Sequence, residues 1–110
     1  MSRAFTAASS HRLDYTVNAP VTAHPLTLAC WFNSNSITDS QGLIVLQDKD
    51  VDNGNWWALA ARGDTAGDPV EAYSFDGATA GLADTSTSYS ANVWNHACAV
   101  FSASNSRSAY

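Results

Sequence analysis

The segment PLTLACWFNS, Pro25 to Ser34, is strictly two-periodic: Leu26, Leu28, Cys30 and Phe32 fall on one face, and Thr27, Ala29, Trp31 and Asn33 on the other. Alternation sustained over eight residues, with aromatic content, is the pattern of a β-strand with one face turned to a core. No segment of the chain sustains the 3.6-residue period of a helix. WWALAA contains good helix formers, but it is too short and too tightly bounded by turns to be one. The remaining apolar runs are read as strands on the same grounds. GLIVLQD is a short apolar strand, and KDVDNGN is a turn in which Asn53-Gly54 supplies the left-handed conformation of a hairpin. NWWALAARG is the return strand, ended by Gly63, so these two strands form an antiparallel hairpin.

VEAYSFDG is a further strand, with Val70, Ala72 and Ser74 opposite Glu71, Tyr73 and Phe75. A weaker strand runs from Ala80 to Thr85, followed by a loop to Asn92. RAFTAA and HRLDYTV are short strands near the start. NVWNHACAVFS, Asn92 to Ser102, turns Trp94, His96, Cys98 and Val100 one way, and Asn95, Ala97, Ala99 and Phe101 the other. Both faces are largely apolar, which predicts a strand buried on both sides. Many short strands with turn signals every eight to twelve residues make the fold all-β, an antiparallel β-sandwich or jelly roll.

Composition removes several classes of function. At 110 residues and 45% hydrophobic content the chain is one domain with enough apolar residues for a core. A net charge of −5, with five Lys and Arg spread along the chain, leaves no basic stripe for a phosphate backbone. No run has the length of a membrane-spanning helix. MSRAFTAASSHRLDY lacks the apolar segment of a secretory leader and reads as a cytoplasmic translation start. Cys30 and Cys98 are too few for a zinc site or a disulfide framework, which leaves one long-range bridge or two buried thiols.

Taken in order, LTLACWFNS, GLIVLQDKD, a Gly-Asn turn, WWALAARG and WNHACAVFS resemble the laminin-G-like, concanavalin-A-like jelly roll, a family with pentraxin-like relatives. Its members show a strand of the form F-T-L-S-A-W-F, matched by Trp31 and Phe32, and one of the form I-L-S, matched by Leu43 to Leu46. They also show W-x-H-V-A-V-V-F, matched by Trp94, His96 and Ala99 to Phe101. The resemblance covers residues 4 to 110. It implies an interior strand at Trp94–Phe101, with His96 a packing residue rather than a base. It also places the next strand near Tyr110, so the domain over residues 1–110 is expected to be incomplete at its C-terminal end. Either further chain or neighbouring subunits would then complete the sandwich. Cys98 falls where pentraxin-like relatives carry a cysteine, but the expected partner position is Ala29, one residue before Cys30. An offset of one residue turns a strand side chain to the opposite face, so two thiols are expected.

Three groups are candidates for chemistry. Asp48, Asp50 and Asp52 alternate in a turn, and carboxylates so spaced can converge on calcium, the one cofactor the sequence points to. The segment begins like an EF-hand loop and then departs, with Asn53 where its Gly belongs and Leu59 where its Glu belongs. Trp56 and Trp57 are adjacent, so one points inward and one outward. The outward ring is a candidate platform for the apolar face of a sugar. Glycoside hydrolases of this fold carry a Glu-x-Asp-x-x-Glu strand, which the resemblance would require of an enzyme. This chain has the single glutamate Glu71, and it is expected not to be catalytic.

Two function classes follow. One is a structural module, a phage virion decoration or tail-fibre component made in the host cytoplasm and displayed on the virion surface. Its partners would be other virion subunits or copies of itself. The other is a carbohydrate-binding, lectin-like adhesion module working outside cells, with surface glycan as partner and calcium as aid. Neither involves nucleic acid or membrane insertion.

Overall fold

The computed structural model describes residues 21, 23–47 and 55–110. Within them lie seven strands: β1 (Leu26–Phe32), β2 (Ser40–Gln47), β3 (Trp56–Arg62), β4 (Val70–Phe75), β5 (Ala80–Asp84), β6 (Asn95–Ala103) and β7 (Ser106–Ala109). They form a three-stranded sheet, ordered β1-β6-β7, and a four-stranded sheet, ordered β2-β3-β4-β5, with every pairing antiparallel. The sheets pack face to face, β4 over β6 and β5 over β7, as an all-β sandwich. The expected strands RAFTAA and HRLDYTV lie outside the described residues, as does the Asn53-Gly54 turn.

Alternation decides what each strand buries. Leu26, Leu28 and Phe32 of β1 are buried and Cys30 half-buried, while Thr27, Ala29 and Trp31 are exposed. On β3 and β4 the inward set is Trp57, Leu59, Ala61, Val70 and Ala72. The expected β2–β3 hairpin is present, with a register shift between Gly42 and Ile44. β2 is an edge strand, so its apolar run is only partly covered and Val45 stands half-exposed on the outer face.

The Trp-x-His strand differs from expectation in two ways. It begins at Asn95, so Trp94 precedes it and is exposed. It is the central strand of its sheet, but buried on one face alone. Leu26 pairs with Phe101, Leu28 with Ala99 and Cys30 with Ala97, which sets the odd-numbered residues against the core. Ala97, Ala99 and Phe101 have no exposed surface, whereas His96 is open to solvent. His96 is therefore not a buried packing residue. Its ring stands edge-on to Trp31, 5.2 Å between centroids, on the outer face.

The strand expected near Tyr110 begins earlier, as β7 at Ser106. A tight turn after Ala103 folds SRSA back on β6, and Tyr110 and Cys98 exchange backbone hydrogen bonds of 2.9 Å. SRSA carries no apolar alternation, because an edge strand is held by its ladder rather than by side-chain burial.

The register also settles the cysteines. Ala29 pairs with Cys98 and Cys30 with Ala97, so Cys30 points into the core and Cys98 away from it. Both are free thiols, and burial pushes the Cys30 thiol above its ordinary pKa.

Tyr89, between β5 and β6, closes one end of the core. Its ring stands 5.5 Å from that of Phe32, and its hydroxyl donates to the Ser36 carbonyl at 3.0 Å. Burial, and then the carboxylates of Asp68, Asp39 and Asp64, push its phenol pKa upward. A raised folded-state pKa contributes stability that is complete below the unfolded value, about 10, and is lost as pH rises through the folded one. Tyr89→Phe is thus expected to flatten the alkaline fall in stability seen in urea unfolding above about pH 10. At neutral pH the same change should cost about 1 kcal/mol, the worth of one hydrogen bond. An unchanged alkaline limb would show that another group controls it.

Candidate functional site

The outer face of the four-stranded sheet has two chemically distinct ends. Down β3 it presents Trp56, Ala58, Ala60 and Arg62, and down β4 it presents Phe75, Tyr73 and Glu71. Trp56 is thus the outward member of the tryptophan pair. Trp57 is the inward one, 5% exposed and part of the core. Trp56 pairs with Phe75 across the strands, and its ring lies against Tyr73 at 4.6 Å, tilted by 45°. Val45, Ala58, Tyr73 and Leu82 are aligned across all four strands, with Val45 and Leu82 50% and 59% exposed. The small alanines of β3 lie low between these larger side chains, so the aromatic end is a shallow apolar shelf.

The other end is ionic. Arg62 donates to Glu71 at 2.7 Å and to Asp64 at 2.9 Å. Both carboxylates push the guanidinium pKa further up, Asp64 more than Glu71, and Arg62 holds the Asp64 carboxyl below the usual carboxylate range. Glu71 is buried on its strand and committed to Arg62. Trp56 and Arg62 stand at the two ends of β3, roughly 20 Å apart at about 3.3 Å per residue, while Glu71 lies two residues from Tyr73 on β4.

A cavity of about 310 Å³ opens at the aromatic end, where the start of β3, the β4–β5 turn and the β6–β7 turn meet the segment leading into β1. Trp57 and Ser74, the inward residues that pair across β3 and β4, line it together with His24, Asn55, Asp76 and Ser104. His24 sets its ring edge-on to Trp57 at 5.4 Å, and its buried Nδ1 has no hydrogen-bond partner. Asp76 Oδ1 accepts the backbone N–H groups of Thr79 and Ala78, at 2.6 and 3.0 Å. Those two bonds, with a smaller contribution from the charge of Arg107, hold its carboxyl below the usual range. Arg107 pairs with Phe101 and so points inward, where its guanidinium lies on Gly81, a position at which any Cβ would collide with it.

Asp48, Asp50 and Asp52 lie outside the described residues. Among the described residues no group of three or more His, Cys, Asp or Glu side chains could hold a metal ion. His24 and Tyr73 were not singled out by sequence reasoning. The signal for Tyr73 was present, because alternation places it on the same face as Phe75. His24 precedes the first described strand and carries no periodic signature.

A two-sheet antiparallel sandwich of this kind, with half-buried aromatic rings on its outer face and a cleft at one end, is of the jelly-roll class. The chain belongs to the concanavalin A-like lectin/glucanases superfamily: the superfamily's laminin-G model matches residues 8–110. Searches of curated proteins and of solved structures return no match. What the membership supports is a non-catalytic binding module.

Proposed function

We propose that this chain is a glycan-binding module that holds a saccharide against the outer face of the four-stranded sheet. The observation that carries the reading is the Trp56–Tyr73 pair, two half-buried aromatic rings in contact on the outer sheet face, beside the exposed Val45 and Leu82. A pyranose ring has an apolar face that covers such a shelf, while its edge hydroxyls remain free for polar neighbours such as Gln47, which pairs with Trp56. The non-catalytic part of the reading draws support from Glu71, the sole glutamate, whose carboxylate is already engaged by Arg62. Calcium belongs to the reading as an aid held by Asp48, Asp50 and Asp52.

A glycan array probed with and without chelator tests both parts. Binding is expected, and Trp56→Ala is expected to weaken it by about tenfold or more, equivalent to about 1.4 kcal/mol, without a change in the far-ultraviolet dichroism. Loss of binding on chelation would show that calcium takes part, with Asp48, Asp50 and Asp52 the ligands to test by substitution. Absence of binding in both conditions would overturn the proposal. It would favour instead the virion-surface component, to which the rigid sandwich and the acidic composition are equally suited.

A further inference from the structure

We infer that the cavity at the aromatic end is a second part of the binding site, one that takes a single neutral sugar residue or a comparable small polyol. The class of ligand rests on the glycan reading above; the place does not, because it is fixed by a different set of residues. A volume of about 310 Å³ is room for on the order of ten waters, at roughly 30 Å³ each. It falls at the low end of the roughly 300–1,000 Å³ of small-ligand sites.

The lining decides the chemistry. Trp57 offers part of an indole surface, and around it stand the Ser74 and Ser104 hydroxyls, the Asn55 amide and the Asp76 carboxylate. Asp76 is fixed by its two backbone hydrogen bonds and is ionised at neutral pH, which disfavours phosphate or carboxylate ligands. Vicinal hydroxyls suit a fixed carboxylate, because each O–H donates to it.

The cavity and the outer shelf adjoin at Phe75. Phe75 lines the cavity and is also the cross-strand partner of Trp56, and Asn55 on the lining immediately precedes Trp56. An oligosaccharide with its terminal residue in the cavity would leave the sandwich across the Trp56–Tyr73 shelf.

The test is a titration of the isotopically labelled full chain with neutral monosaccharides at tens of millimolar, followed by amide and indole shifts in nuclear magnetic resonance. Glucosamine serves as the cationic probe. Shifts are expected at the Trp57 indole and at Ser74, Asp76 and Ser104. Asp76→Asn, which keeps the oxygen that caps the turn, should weaken the neutral sugar by about tenfold. Trp56→Ala should weaken a matching oligosaccharide more than it weakens the monosaccharide. Thermal midpoints of the variants identify any loss that is merely unfolding; should either variant unfold, the shift map of the wild-type chain decides the matter alone. Shifts confined to Trp56 and Tyr73 would overturn the cavity assignment and leave the glycan reading standing. No shift with any sugar, alongside an empty glycan array, would overturn both. Tighter binding of glucosamine, abolished in Asp76→Asn, would replace the neutral ligand by a cation and overturn the inference as stated.

Discussion

Phe101→Ala is expected to destabilise the protein by about 3–5 kcal/mol, a large share of the roughly 5–15 kcal/mol that holds a typical domain folded. Among the described residues, Phe101 and Leu59 are the largest side chains with no exposed surface. It lies on the inner face of β6, the central strand of its sheet, between Leu26 of β1 and Arg107 of β7 in register. Truncation removes the favourable transfer of the ring from water and leaves a void. Strands hydrogen-bonded on both sides cannot close that void, because moving them breaks ladder bonds on β1 or β7. The expected result is a fall in the urea midpoint at unchanged slope, or a variant that does not fold at room temperature. A loss below about 1 kcal/mol would mean that the two sheets do not share one core at this point.

Gly63→Ala should have the second largest effect, at the upper end of the roughly 1–3 kcal/mol that overpacking costs. Gly63 follows directly on β3, and its amide donates to the Asp39 carbonyl at 3.2 Å, which draws the β1–β2 connection over it. A Cβ here would lie 2.5 Å from the Ile37 carbonyl carbon, 2.6 Å from the Tyr89 hydroxyl and 2.8 Å from the Ile37 carbonyl oxygen. Two of those three atoms belong to the backbone and cannot rotate away. Tyr89 is itself pinned by its bond to the Ser36 carbonyl. Relief therefore requires the connection to lift, with loss of the Tyr89 hydrogen bond and part of its packing against Phe32. Gly42→Ala is the matched comparison, since its Cβ would meet only Val45 Cγ2 at an ordinary 3.5 Å. Equal thermal midpoints for the two variants would refute the close approach at Gly63.

The two predictions bear on the binding face as well. The shelf on β3 and β4 is positioned by the same sheet whose inner side carries Leu59 into the core that Phe101 fills. Loss of that packing should therefore reduce ligand binding in proportion to the unfolded fraction, whereas Trp56→Ala should reduce it at full stability.

Much of this protein was determined by its sequence alone, and the limits are physical. Strand identity in β1, β3 and β4 follows from two-residue alternation, a property local to each segment. The same alternation requires that one of Trp56 and Trp57 faces out. Which of them does so depends on register against β2 and β4, a tertiary matter. In β6 both faces are apolar, so its pattern does not say which side meets the core; pairing with β1 decides it, turning Phe101 in and leaving His96 outside beside Trp31. Opposite facing of Cys30 and Cys98 needed only the one-residue offset from the family pattern, and the register bears it out. β7 left no trace, because an edge strand is stabilised by backbone bonds that any residues can make. The end cavity is the clearest case of what only tertiary structure supplies. His24, Trp57, Ser74, Asp76 and Ser104 are scattered over eighty positions of sequence, and no periodicity joins them. They meet because the sandwich brings the ends of β3 and β4 and the turn between β6 and β7 to the same edge.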